Sequence, residues 1–238
     1  MYKNLILRIP DSVKEPIDAI IDSDDVCSSD IICGIMKIIP IFNIIYNFWS
    51  ENNVQFDTVF ESLKNCDALL KKIQDLENQD KKYIIASLVN HNEELGVIPL
   101  APFKEMLLLY KKYRAASGYA VTDADLSRMK EYLCEFVRRN HFENKNGRFN
   151  SVFFYENLEV AVMASKNAGY RKTDKFCKVE IVETRSMDRY DGRWLSDIKP
   201  TCIFKEFMEA ITNYWSGSMT PNPKVEYLFS GKYILKEL

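Results

Sequence analysis

At 238 residues the chain has room for one large domain or two small ones, and its 47% apolar and 28% charged residues exclude a disordered polymer. A net charge of −2 carries no global nucleic-acid signature, and its distribution is mild: 17 Lys/Arg against 21 Asp/Glu over residues 1–140, and 15 against 13 over 141–238. Two histidines and six cysteines without a C-x-x-C pair exclude zinc-ribbon or His-rich metal binding, so no metal is expected. The cysteines read instead as free, mostly buried thiols of a reducing, cytoplasmic compartment.

Met1–Asp11 runs straight into charged sequence and does not read as a signal peptide. Asn4–Ile9 offers a short strand. Ile31–Trp49 has the length of a membrane span, but Lys37, Pro40, Asn43 and Asn47 interrupt it. A buried helix, or a pair broken at Pro40, is expected there, with no membrane partner. Between Val54 and Leu76, apolar residues recur at steps of three and four, predicting an amphipathic helix with Asp57 at its start. Lys81–Val89 and Phe103–Tyr113 read as further helices on either side of the breaker run Gly96–Pro102. Thr122 and Asp125 form a reciprocal capping pair for a helix whose stripe is Leu126, Met129, Leu133, Phe136 and Val137.

The texture changes at the polar run 140–150. Ser151–Tyr155 is a short β-type run, Glu156–Lys166 a helix, and Phe176–Glu183 alternates with the period of a half-buried strand. Phe204–Tyr214 is helical, and Val225–Phe229 with Tyr233–Leu235 suits a hairpin turning at Ser230–Gly231. The expected fold class is α+β, with a mostly helical part over 1–140 and a small mixed α/β domain over 141–238.

No P-loop, dinucleotide glycine fingerprint, nucleophile elbow or zincin helix is present. His91 and His141 stand in no recognisable nucleophile–base context. An ordered set does stand out in the second part. Arg148 precedes the SVFFY run, which Ser151 opens and Tyr155 ends. Tyr214-Trp215-Ser216-Gly217 then leads into a polar loop, and Glu226 opens the last apolar run in VEYL.

This order resembles the ADP-ribosyltransferase family, in particular its bacterial and phage-associated toxin or effector members. The resemblance covers about residues 145–238 and implies a domain with a split, mainly antiparallel sheet. It implies NAD as co-substrate, Glu226 as the catalytic carboxylate, and Arg148, Ser151, Tyr155, Tyr214 and Trp215 as NAD-binding residues. The acceptor would be a macromolecule, protein or nucleic acid, and the resemblance leaves room for a neutralising protein partner. The residue types suit that chemistry. Breaking the bond between nicotinamide and ribose develops positive charge on the sugar, which a fixed carboxylate stabilises. A guanidinium grips pyrophosphate through its forked donors, and an aromatic ring stacks on nicotinamide. Lys224 departs from the pattern, since many members carry a Glu or Gln two residues before the catalytic Glu; arginine is therefore not the expected acceptor.

Two rival readings belong to other classes. In one, the protein is a non-catalytic protein- or RNA-binding module, with Glu226 a solvated edge charge and the helix around Phe103–Tyr113 its contact surface. In the other, Asp188, Asp191 and Asp197 serve a metal-dependent nuclease. The basic residues Lys166, Arg171, Lys172, Lys175 and Lys178 would matter to nucleic acid only if they faced the same cleft.

Overall fold

The computed structural model describes residues 5–9, 17–25, 29–85, 97–167 and 175–238. Expectations resting on Cys27, His91, Arg171 and Lys172, and on the second half of the run 81–89, fall outside these residues. In chain order the elements are β1 (Leu5–Ile9), β2 (Ile20–Asp22), α1 (Ser29–Glu51), α2 (Phe56–Lys64), α3 (Cys66–Glu77), β3 (Tyr83–Ile85) and β4 (Val97–Pro99). There follow α4 (Leu100–Ser117), α5 (Asp123–His141), β5 (Val152–Tyr155), α6 (Leu158–Asn167), β6 (Lys175–Asp191), α7 (Arg193–Ser196), α8 (Phe204–Trp215) and β7 (Val225–Lys236).

The architecture is α+β, but the chain does not divide at residue 140. One compact unit comprises Met1–Ser29, Cys134–Asp197 and Ala210–Leu238, and the other Asp30–Leu133 and Ile198–Glu209. The reason lies in strand pairing. β1 is no satellite of the helices: it pairs antiparallel with the start of β6, from Leu5↔Val179 to Ile9↔Lys175, and meets β5 at Ile6↔Tyr155. β2 pairs with the end of β7. A boundary drawn from local texture misses both pairings, because they join residues more than 140 positions apart.

In the first unit every pairing is antiparallel. β7 lies between β5 and β6 over its first half, and β6 continues beside it to Lys178↔Lys236. The pairings β6–β7–β5–β1–β6 therefore return to their starting strand, with β2 flanking the second half of β7. Alternation sets the inner face. Leu5, Leu7 and Ile9 of β1, Val152 and Phe154 of β5, and Val225, Tyr227, Phe229, Tyr233 and Leu235 of β7 form one buried cluster. Phe154 is fully buried, its ring 4.8 Å from Phe229 and 5.3 Å from Tyr233.

The hairpin expected at Ser230–Gly231 is absent. β7 is one strand from Val225 to Lys236, because the apolar alternation passes through position 231 without a slip. Gly231 falls on the core face with φ +150°, where the register against β6 shifts and its N–H donates to Ser23 Oγ at 2.9 Å.

The second unit is helical and carries a two-stranded β3–β4 ladder. Trp49 anchors it: the indole N–H donates to the Val54 carbonyl at 3.0 Å, and the ring packs against Phe56, Phe204 and Phe207. Pro40 does not break α1. The carbonyl left without a helical donor belongs to Met36, an exposed residue. The single helix expected over 54–76 is two, parted at Asn65. Tyr83–Ile85, expected within a helix, is a strand paired with Val97–Pro99; its aromatic and β-branched side chains suit that choice. Of the expected Thr122–Asp125 reciprocal cap one arm forms, Thr122 N donating to Asp125 Oδ2 at 2.8 Å; the Thr122 hydroxyl donates to the same oxygen at 2.9 Å instead of accepting from the helix. Phe103 and Tyr110 of α4 are core residues, while Leu108 and Leu109 on the same helix are exposed. Among the described residues no helix is long and apolar enough to cross a membrane. The thiols of Cys66, Cys134 and Cys177 are buried and that of Cys202 is half-buried.

Candidate functional site

Glu226 is not a solvated edge charge. It sits in the interior half of β7, opposite Tyr155 of β5 on one side and Tyr190 of β6 on the other, and is 7% exposed. Period two puts it on the face opposite the aromatic core, and that face is covered too: the first five residues of β7 are all buried. A carboxylate so placed needs partners.

Arg148 and Tyr214 supply them. Arg148 lies on a 3-10 turn, Arg148–Asn150, rather than on a strand. Its Nη1 donates to Glu226 Oε1 at 2.6 Å and to the Tyr214 hydroxyl at 2.6 Å. Tyr214, in the last turn of α8, donates its own hydroxyl to Glu226 Oε1 at 2.6 Å. The three groups thus close a triangle on one carboxylate oxygen. Burial, seconded by the Glu226 charge and opposed by Arg148, pushes the Tyr214 phenol well above its ordinary value, which keeps it a donor. The guanidinium also lies over two rings, 4.8 Å from the centre of Phe153 and 5.2 Å from that of Tyr214. Glu226 Oε2 makes no hydrogen bond among the described residues; a Cβ on Gly192 would stand 2.8 Å from it.

The expected site residues divide on this geometry. Arg148, Tyr214 and Glu226 meet, and Tyr155 stands beside Glu226 in register. Ser151 does not join them, since its hydroxyl donates to the Gly147 carbonyl at 2.8 Å and closes the turn below Arg148. Trp215 is fully buried, its indole N–H donating to the Cys134 carbonyl at 2.9 Å, and its ring meets Tyr190 and Tyr214 edge-on. It supports Tyr214 and presents no open face. Among the described residues no group of His, Cys, Asp and Glu is disposed to hold a metal.

The loop between α8 and β7 is held fast. Asp191, fully buried, accepts from Thr220 N and Oγ1 at 2.8 and 2.6 Å, from Lys224 N at 2.8 Å and from Arg193 N at 2.9 Å. Arg193 and Trp194 donate to the loop carbonyls of Asn222 and Ser218. Four donors saturate Asp191, so it is a loop pin and not a metal ligand. Lys224, two residues before Glu226, turns its ammonium to Ser196 Oγ at 2.6 Å, with Asp197 3.6 Å away.

A pH consequence follows. Burial alone would raise the Asp191 carboxyl, but the four donors outweigh it and hold the group below its ordinary 3.8. A carboxyl depressed on folding contributes stability that is present above the unfolded value and lost as pH falls through the folded one. Asp191→Asn is therefore expected to flatten the fall of unfolding free energy between about pH 5 and pH 2, followed by urea titration at each pH.

No local pattern marks Tyr190 in the sequence. Its ring stacks on Tyr214 with centroids 4.7 Å apart and 26° between planes, backing the phenol that holds Glu226. Its hydroxyl is buried and makes no well-formed hydrogen bond among the described residues, though it approaches Asp188; burial, followed by that carboxylate, raises its phenol. A buried unpaired hydroxyl costs roughly 1–3 kcal/mol. Tyr190→Phe is expected to leave the denaturation midpoint unchanged or raise it; a fall would mean the hydroxyl is satisfied, by Asp188 or by a bound water.

No curated protein matches the chain. Residues 43–237, from within α1 through β7, match the family described as Protein of unknown function (DUF2441), and the chain belongs to that family.

Proposed function

We propose that the protein is an NAD-dependent ADP-ribosyltransferase acting on a macromolecular acceptor, in the manner of a toxin or defence effector. The observation that carries this reading is the convergence of Arg148 and Tyr214 on Glu226 Oε1, from residues 66 and 78 positions apart. In this reading the closed antiparallel sheet, with Arg148 just before β5 and Glu226 on its last strand, is an ADP-ribosyltransferase-like domain.

The donor set suits the co-substrate. NAD presents an anionic pyrophosphate and ribose hydroxyls, and supplies the ribosyl group whose bond to nicotinamide breaks. Arg148 is a guanidinium of the kind that takes the first, and Glu226 Oε2 is an acceptor of the kind that takes the second. Arg148 and Tyr214 fix the carboxylate through its other oxygen, so it is oriented before any sugar arrives. Desolvation of the surrounding rings strengthens its pull on positive charge. We assign the nicotinamide contact to Tyr155, half-buried beside Glu226, since Ser151 and Trp215 are committed to backbone carbonyls. With an ammonium two residues before Glu226, there is no carboxylate to take a proton from an arginine acceptor, which favours another protein group or nucleic acid. The test is transfer of label from tagged NAD to lysate protein or nucleic acid. Transfer by the wild type and none by Glu226→Gln supports the proposal; equal labelling by both refutes it.

One observation favours a second reading, a non-catalytic binding protein: Arg148 and Glu226 keep only 10% and 9% of their side-chain surface exposed, as a structural ion pair would. That reading predicts no NAD cleavage and unchanged partner binding in a charge-free replacement of the pair.

A further inference from the structure

We infer that Arg138 is the positioning residue of this site: it fixes the loop that delivers Arg148 to Glu226, an inference that rests on the ADP-ribosyltransferase reading only for its enzymatic consequence. The last turns of α5 carry Glu135, Arg138 and Arg139 at helical spacing. On sequence alone this is an ordinary surface ion pair, worth little. In the fold it is buried: the Glu135 side chain is 4% exposed and that of Arg138 14%, while Arg139 is 68% exposed.

Arg138 divides its donors. Nη2 and Nε fork onto the Glu135 carboxylate at 2.7 and 3.0 Å, and Nη1 donates to the backbone carbonyls of Lys145 at 2.8 Å and Glu143 at 3.2 Å. Glu135 holds the guanidinium plane, and the guanidinium holds the chain. On the sheet side the same loop is tied through Asn146, whose N–H donates to Asp188 Oδ2 at 3.1 Å and whose Oδ1 accepts from Ser186 Oγ at 2.8 Å. One residue on, Gly147 caps the turn that begins at Arg148. A lysine cannot reproduce this, since one ammonium lacks the planar fork that serves a carboxylate and two carbonyls together. Arg138 itself makes no bond to Glu226. It acts through the backbone, and that predicts a separable signature.

The experiment follows arginine side-chain N–H exchange by NMR in the full chain, with the Arg148 resonance assigned by Arg148→Lys. In the wild type the Arg148 protons are expected to exchange at least about tenfold more slowly than those of exposed Arg139. In Arg138→Gln that protection should vanish, while the Trp215 indole N–H, bonded to Cys134, stays protected and reports an intact core. Unchanged Arg148 protection in Arg138→Gln overturns the inference. Should Arg138→Gln lose the indole protection too, Arg138→Lys is judged by the same two signals. In the enzymatic arm, Arg138→Gln should raise KM for NAD and lower kcat together, each roughly 10-fold or more, because Arg148 both takes the pyrophosphate and orients Glu226, and it should add nothing in an Arg148→Ala background. If the wild type cleaves no NAD, the proposed function fails while the exchange arm still decides the role of Arg138.

Discussion

Glu226→Gln is expected to lower NAD cleavage by about 10²–10³-fold, the usual cost of losing one preorganised electrostatic partner of a transition state. The same substitution should cost stability. Both members of the Arg148–Glu226 pair are nearly buried, and Glu226→Gln takes away the charged oxygen on which Arg148 and Tyr214 converge, which destabilises by about 3–5 kcal/mol. Lost activity alone would therefore be ambiguous. Arg148→Met combined with Glu226→Gln separates the two effects. With no charge left to compensate, the double variant should regain much of the stability that either single change loses, and yet remain inactive. Denaturant midpoints of the four proteins, read beside their NAD cleavage, check both. Activity restored together with stability would show that Glu226 acts only in the fold.

Gly231→Ala should be the most damaging small substitution in the sheet. A Cβ there would stand 2.1 Å from the Glu183 carbonyl oxygen and 2.8 Å from Phe229 Cζ, at φ +150°. Phe229 can shift, but the Glu183 carbonyl belongs to β6 beside the register shift and cannot move without opening the β6–β7 ladder. A loss of about 3–4 kcal/mol is expected from urea denaturation. Gly217→Ala is the control: its φ is +78°, yet nothing lies within 4 Å of the new methyl. That change should cost only about 1 kcal/mol, the strain of the conformation without a clash.

What the sequence disclosed depended on whether a signal was local. The Asp125 arm of the Thr122–Asp125 cap and the alternation of Phe176–Glu183 are decided by neighbours, and both are found in the fold. The order Arg148, Tyr214, Glu226 was legible as residue types, and these three meet. Its setting was not. Ser230-Gly231 carries the local signature of a turn, and only the pairing of both halves of β7 with one long β6 shows a bend in a single strand. Whether Glu226 is exposed depends on Tyr190, Tyr214 and Trp215 packing together, and they come from two distant elements. Asp191 looked like a candidate ligand because donors from residues 193, 220 and 224 cannot be counted before the loop is folded. Arg138 and Glu135 hid for the same reason, as an i,i+3 pair whose importance comes from the carbonyls of a loop up to seven residues away.

The most direct test of the proposed site is release of nicotinamide from NAD, followed by NMR, for the wild type, Glu226→Gln and the Arg148→Met/Glu226→Gln pair at matched folded fractions. Release by the wild type alone is the predicted result. No release by the wild type, or equal release by the variants, would contradict the assignment of Arg148, Tyr214 and Glu226 as an NAD-cleaving site.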